Sequence, residues 1–79
     1  MISEQRVIDI VTEVLELENG KITSLSSSEN TEQWDSLNHL GILISLDKSL
    51  DGQAAKIPEL ATATSIKEIV TLLNKNIDG

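Results

Sequence analysis

Residues 34–52, WDSLNHLGILISLDKSLDG, contain both ends of the most apolar helix that the sequence predicts. Asp35 can begin this helix, because its carboxylate accepts hydrogen bonds from first-turn amides and its charge suits the positive end of the helix dipole. Asp51-Gly52 is typical of a helix end. Between them, helical spacing predicts one broad apolar stripe, widened by Ile42, over Leu37, Leu40, Leu43/Ile44, Leu46 and Leu50.

A first amphipathic helix and a long polar loop precede this segment. Ser3 can cap the helix, its apolar positions run to Leu17, and Asn19-Gly20 is expected to end it. Residues 21–34 are rich in Ser, Asn and Thr, which favour turns, and Ile22 and Leu25 are the expected tethers of this loop to the core. A loop of this length in so small a domain is often functional.

Two further helices follow. Pro58 suits the first position of a short helix, PELATA, where its missing amide has no consequence. Ser65 and Glu68 have the spacing of a capping box on the last helix, whose apolar face includes Ile66, Leu73 and Ile77. No segment alternates with a period of two residues. The pattern predicts an all-α, antiparallel bundle of three main helices, one short helix and a long first loop.

Length and composition restrict the function further. Seventy-nine residues allow one domain, over 1–79, without a second core. Thirteen acidic residues against six basic ones give a net charge of −7, which disfavours nucleic acids and anionic membranes and favours protein partners with basic patches. The chain has no cysteine, and therefore no disulfide, thiolate metal site or cysteine nucleophile. We expect a monomer.

The N-terminal residues and the lengths of the apolar runs predict where in the cell the protein is found. Glu4, Arg6 and Asp9 interrupt the apolar positions near the N-terminus, which excludes the continuous apolar core of a signal peptide. No apolar run approaches the roughly 20 residues that span a bilayer. We expect a soluble, cytoplasmic protein without a membrane span.

Ser36 is the first candidate for chemistry. It is either an ordinary helix-start residue or a site that another enzyme modifies. A phosphate attached there would lie where free amides and the helix dipole favour an anion. Ser36 and His39 are three residues apart and could form a hydrolase pair, but nothing in the sequence supplies an oxyanion hole, and an exposed, solvated histidine is the favoured interpretation.

Trp34 and the acidic residues give weaker indications of a functional site than Ser36 does. Trp34, the only aromatic residue, is expected to anchor the core or the loop rather than contact a ligand. No cluster of His, Cys and Asp has the spacing of a metal site, so no metal is expected.

With Asp-Ser-Leu opening an apolar helix, in an acidic chain of this size and helix order, the sequence resembles an acyl carrier protein over essentially its whole length. The resemblance implies that Ser36 carries 4′-phosphopantetheine, attached by a phosphopantetheinyl transferase from coenzyme A with Mg²⁺. Asp35 and Leu37 complete the recognised motif. The thiol of this group would carry acyl intermediates as thioesters in fatty-acid, polyketide or modified-lipid biosynthesis. The protein would then be a substrate of enzymes and not itself an enzyme.

The resemblance also implies that the second helix docks partner acyltransferases, synthases or ligases, through Asp35, Asn38, Gly41, Asp47 and Asp51. An aliphatic bundle could open between its helices to shelter an acyl chain, with each buried CH₂ contributing about 0.8 kcal/mol. The expected lining residues, which could equally be ordinary core, are Leu40, Ile44, Leu46, Leu60 and Ile66.

Two departures from the family are visible. Carriers of fatty-acid synthesis have a Gly-Ala-type run where this chain has TEQW, and acidic residues where it has Asn38, Gly41 and Lys48. WDSLNHL is more similar to stand-alone carriers of specialised pathways. The alternatives are an aminoacyl or peptidyl carrier of a nonribosomal system, and an unmodified acidic helical interaction module.

Overall fold

The computed structural model describes residues 2–77, which form three α-helices and two short 3₁₀ helices. The α-helices are α1 (Glu4–Val14), α2 (Ser36–Ser49) and α3 (Ile66–Asn76). The first 3₁₀ helix (Ala54–Lys56) and the second 3₁₀ helix (Pro58–Thr62) connect α2 to α3. Within these described residues there is no strand, and the all-helical class with a long first loop is confirmed. The 3₁₀ helix before Pro58 was not predicted.

Contacts between helix ends show that α1 runs antiparallel to both α2 and α3. The Arg6 guanidinium, in the first turn of α1, donates to the carbonyl (2.8 Å) and hydroxyl (2.7 Å) oxygens of Ser49, the last residue of α2. The Asn74 side chain, near the end of α3, accepts from the Ile2 amide (2.7 Å) and donates to the Ile2 carbonyl (3.1 Å). Ile2, Ser49 and Asn74 therefore share one pole of the bundle, whereas Ser36 begins α2 at the other. Since α2 and α3 both end at the first pole, they are parallel to each other, and the predicted antiparallel arrangement holds only for α1 with each of them.

All three predicted helix caps are confirmed. The side chains of Ser3, Asp35 and Ser65 accept hydrogen bonds from the amides three residues further along the chain, at 3.2, 2.8 and 3.1 Å. Each bond satisfies an amide that has no partner inside its helix. At Ser65 the capping box is only half formed, because within residues 2–77 the Glu68 carboxylate does not accept a hydrogen bond from the Ser65 amide.

The predicted end of α1 is wrong. The helix stops at Val14, before the expected Asn19-Gly20 ending, and Glu16 takes the left-handed conformation (φ 56°) that follows the helix. The amide of Leu17 bonds to the carbonyl of Thr12 at 3.1 Å, which is the hydrogen bond of a Schellman ending. Gly20 (φ 91°) belongs to a separate, later turn.

The predicted end of α2 is confirmed. Asp51 (φ 54°) and Gly52 (φ 84°) both have positive φ, and the Gly52 amide bonds to the Asp47 carbonyl at 2.8 Å. This is the same Schellman bond that ends α1. Gly52 adopts its positive φ without steric cost because it has no Cβ, and Asp is among the few other residue types that visit the left-handed region.

The core is aliphatic apart from Trp34, and its α2 face differs from the prediction. Of the predicted stripe, Leu46 and Leu50 are buried, but Leu37, Leu40 and Ile44 are 75%, 57% and 59% exposed. Because apolar residues occur on nearly every side of α2, their spacing did not identify the side that packs. The fully buried large side chains are Val7, Val11, Ile42, Leu46, Leu60, Ile66, Ile69 and Leu73.

The long loop is tethered by different groups from those predicted. Ile22 is buried as expected, but Leu25 is 70% exposed. In place of Leu25, backbone bonds hold the loop against the start of α3: the Ser28 amide donates to the Thr64 carbonyl (2.9 Å) and the Ile66 amide to the Ser26 carbonyl (3.1 Å). Among residues 2–77, no helix is both long and apolar enough to cross a membrane.

Candidate functional site around Ser36

Ser36 is the first residue of α2, and its side chain is exposed. Asp35 engages the Asn38 amide at 2.8 Å, and the Asn38 side chain donates to the Gln33 carbonyl at 2.8 Å, which fixes the loop against the first turn of the helix. No hydrogen bond within residues 2–77 occupies the Ser36 hydroxyl. The hydroxyl is therefore held at a defined helix start and is accessible to a reagent or an enzyme.

His39 is buried, contrary to the expectation of a solvated side chain. It is 4% exposed, and both of its ring nitrogens have partners. The Trp34 indole N–H, which can only donate, bonds to His39 Nδ1 at 3.0 Å. Nδ1 is then the acceptor, so Nε2 carries the hydrogen and donates to the Leu60 carbonyl at 2.8 Å. A histidine engaged on both sides cannot serve Ser36 as a base, so the hydrolase pair is not formed.

Trp34 is confirmed as an anchor, with 2% of its surface exposed. Its ring lies 6.2 Å from the His39 ring, centroid to centroid, with 22° between the planes. Together with the two hydrogen bonds, this stacking joins the end of the long loop to α2 and to the second 3₁₀ helix. Trp34 and His39 are five residues apart in the sequence, which puts the two rings within reach of each other, but nothing in the sequence indicates the bond from His39 to Leu60.

Two adjoining open cavities lie along α2. The serine cavity, about 450 Å³, is bordered by Ser36, Trp34, His39 and Leu40. The distal cavity, about 420 Å³, lies between the later turns of α2 and the 3₁₀ helices. Leu43 and Ala61 border both cavities, so the two form one interrupted groove that begins at Ser36.

The five residues expected to line an acyl pocket separate into two groups. Leu40 borders the serine cavity, and Ile44 and Leu60 border the distal cavity. Leu46 and Ile66 border neither of these cavities and are 1% and 0% exposed, respectively, which places them in the packed core.

The five expected docking residues are also placed differently from one another. Asp35 and Asp51 are exposed. Asn38 is engaged with the loop, and Asp47 accepts from the Ala55 amide at 2.9 Å. A Cβ on Gly41 would lie 3.1 Å from a Val14 methyl, so this glycine allows the close approach of α1 to α2. Asn38, Gly41 and Asp47 thus have roles within the fold.

Sequence reasoning did not anticipate an apolar surface on α2. Leu37, Leu40 and Ile44 recur at helical spacing on the side of α2 that faces away from the core, and we refer to them as the exposed apolar stripe. An exposed row of large aliphatic side chains is typical of a surface that contacts another molecule.

Over residues 2–77, no group of three or more His, Cys, Asp or Glu side chains is placed to hold a metal ion. Comparisons with protein-family models, curated proteins and solved structures found no match to this chain.

Proposed function

We propose that the chain is a carrier of acyl groups, modified on Ser36 with 4′-phosphopantetheine. One observation supports this most directly: an exposed serine with an unengaged hydroxyl begins a capped helix and opens onto a groove that extends along it. A structural cap would use its oxygen within the helix, and here Asp35 performs that task instead. Ser36 is left available for modification.

The residues present fit the group. Amides of the first turn and the helix dipole favour a phosphate attached to Ser36. The Asp35 carboxylate accepts a hydrogen bond from the Asn38 amide, and this bond directs the carboxylate toward the first turn of α2. A phosphopantetheine group supplies a thiol, which this cysteine-free chain lacks. In that reaction the Ser36 oxygen would form a bond to the pantetheinyl phosphorus of coenzyme A as the P–O bond of the pyrophosphate breaks; adenosine 3′,5′-bisphosphate would leave, and the hydroxyl proton would pass to a base of the transferase or to solvent.

The exposed apolar stripe supports transient contact with other proteins. Leu37 follows Ser36 directly and Leu40 lies one helical turn further along α2, so an enzyme acting on the serine would also contact them. The net charge of −7 favours enzymes whose docking surfaces are basic, and it speeds their encounter with the carrier. Such enzymes would include a phosphopantetheinyl transferase and the acyltransferases, synthases or ligases that load and use the cargo.

Intact-protein mass spectrometry tests the proposal. The protein is incubated with coenzyme A, Mg²⁺ and a promiscuous phosphopantetheinyl transferase. Wild type should gain the mass of one phosphopantetheinyl group and Ser36→Ala should gain none. Ser45→Ala, which removes a half-buried hydroxyl from the same helix, should be modified like wild type. Failure of folded wild type to gain mass with this transferase and with one from the native host would contradict the carrier function.

The exposed apolar stripe also favours a second candidate, an unmodified interaction module. Such a module needs the stripe but not the serine. Pull-down with an identified partner separates the two: Ser36→Ala should retain binding and function in a module, whereas in a carrier it abolishes cargo transfer. Replacement of Leu40 by Gln should weaken binding in either case.

A further inference from the structure

The serine cavity has a polar inner wall. Trp34 and His39 both border this cavity, yet they are only 2% and 4% exposed, so they form its deep side and not its rim. Leu60, to which His39 bonds, is 1% exposed. Of the residues that border the serine cavity, Trp34 and His39 are the buried ones, so a chain attached to Ser36 that moved from the cavity toward the helical core would have to pass them.

The wall is hydrogen-bonded throughout. It runs from the Trp34 indole to His39 on α2 and from His39 to the carbonyl of Leu60 on the second 3₁₀ helix, in bonds of 3.0 and 2.8 Å. Parting α2 from the second 3₁₀ helix would leave the N–H of His39 Nε2 without its acceptor and loosen the His39 ring that accepts from Trp34, whereas the Leu60 carbonyl would keep only the Ala63 amide at 3.2 Å. Buried polar groups that lose their partners are strongly disfavoured, and an alkyl chain offers no replacement hydrogen bond.

Behind the wall the core is filled. Ile42, Leu46 and Ile66 are 0–1% exposed and border neither cavity. The route that leaves the wall intact instead passes Leu43 and Ala61 into the distal cavity. That route follows the surface of α2 and remains open to solvent.

We infer that the hydrogen-bonded chain Trp34–His39–Leu60 bars a group attached to Ser36 from the helical core. This carrier is therefore suited to acyl groups that are short or polar and remain in the open cavities along α2, rather than to long alkyl chains sheltered inside the bundle. The identity of the cargo as an acyl group rests on the proposed function. The wall itself does not, and it can be tested without any modifying enzyme.

The absence of cysteine makes the test direct. In Ser36→Cys the new thiol is the only one, and ethyl, hexyl and decyl methanethiosulfonates attach alkyl chains of increasing length to it as disulfides. Trp34, the only aromatic residue, reports on the wall through its fluorescence and its indole N–H resonance. We expect the emission maximum, the indole resonance and Tm to be the same for all three adducts. A shift of the Trp34 resonance together with a rise of Tm as the chain lengthens would overturn the inference.

Two variants of His39, made in the Ser36→Cys background, test whether the wall causes the independence from alkyl length. His39→Leu replaces the polar wall by an apolar one; hydrogen exchange at the Trp34 indole should become about tenfold faster, and Tm should now rise with alkyl length. His39→Gln can accept from Trp34 and donate to Leu60, and it should restore the length-independent behaviour. Length-independent behaviour in a folded His39→Leu protein would refute the role of the wall. If His39→Leu does not fold, the parent series decides alone.

The outcome for the wall is separate from the outcome for the carrier function. The alkyl series needs no transferase, whereas phosphopantetheinylation of wild type depends on one. A Trp34 resonance and a Tm that change with alkyl length would contradict the barrier role of the wall and would leave the carrier function intact. Absence of modification by the transferases would overturn the carrier function and leave the wall result valid.

Discussion

The two sides of α2 consist of the same kinds of residue and have opposite environments. Ile42 and Leu46 are 0% and 1% exposed, whereas Leu40 and Ile44, which precede them by two residues each, are 57% and 59% exposed. The side of α3 that faces solvent carries Lys67 and Glu68 instead. The fold thus packs one apolar side of α2, and the other side is available to another molecule. Apolar character alone does not show which residues hold the fold together.

Leu46→Ala should produce the largest effect that separates the two sides. Removing a fully buried leucine side chain leaves a cavity and should lower the free energy of unfolding by about 2–5 kcal/mol, which can unfold a domain of this size. Ile44→Ala, the matched change on the exposed side, should alter it by less than about 0.5 kcal/mol. Chemical denaturation monitored by Trp34 fluorescence measures both. Equal losses would contradict the assignment of the two sides.

Asp35→Ala should have the next largest effect, and it separates stability from recognition. Loss of the cap should lower the free energy of unfolding by about 1 kcal/mol. Ser65→Ala removes the equivalent cap from α3 and should be similarly destabilising. If the transferase recognises Asp35, modification of Asp35→Ala should be slower than that of Ser65→Ala under conditions where both remain folded. Equal rates would refute recognition of the carboxylate.

Gly41→Ala sharpens the comparison by testing the side of α2 that faces α1. Alanine gains up to about 1 kcal/mol of helix stability over glycine, but its Cβ would lie 3.1 Å from a methyl of Val14, whose side chain is stiff within a helix. We expect less than that gain in wild type and the full gain when Val14→Ala is already present. A thermodynamic double-mutant cycle measures the coupling. No coupling between the two substitutions would show that the contact does not constrain the helices.

Leu40→Gln should have the smallest effect on stability, within about 0.5 kcal/mol, since the side chain is already more than half exposed. If the exposed apolar stripe contacts the transferase, the same substitution should lower kcat/KM for modification of Ser36, mainly through KM. Thr71→Gln, an exposed position on α3, is the control and should leave the kinetics unchanged. Unchanged kinetics in Leu40→Gln would remove the stripe from the docking surface.

The features predicted correctly from sequence were those decided by neighbouring residues. Caps at Ser3, Asp35 and Ser65 follow from a side-chain oxygen lying three residues before an amide that needs a partner. The Asp51-Gly52 ending of α2 is likewise a local matter of backbone conformation. Such features depend little on the rest of the chain.

The features predicted wrongly depend on distant residues. The environment of His39 is set by Leu60, twenty-one residues further on. Nothing near His39 in the sequence indicates that the Leu60 carbonyl will accept its ring N–H. The side of α2 that packs is chosen by α1 and the 3₁₀ helices, since apolar residues on nearly every side left the periodicity undecided. Leu25 was expected to hold the loop, but backbone bonds to residues 64–66 do so instead.

The pairing of Asn74 with the backbone of Ile2 has a practical consequence. It holds the start of α1 beside the end of α3, and Ile2 and Ile77 border the same shallow depression together with Ser49. Ser36 lies at the opposite end of α2, about 20 Å away for a helix of fourteen residues. A peptide linker, surface anchor or fused domain joined before Ile2 or after Ile77 would therefore leave from the far pole, and a tethered copy would present Ser36 outward to its enzymes.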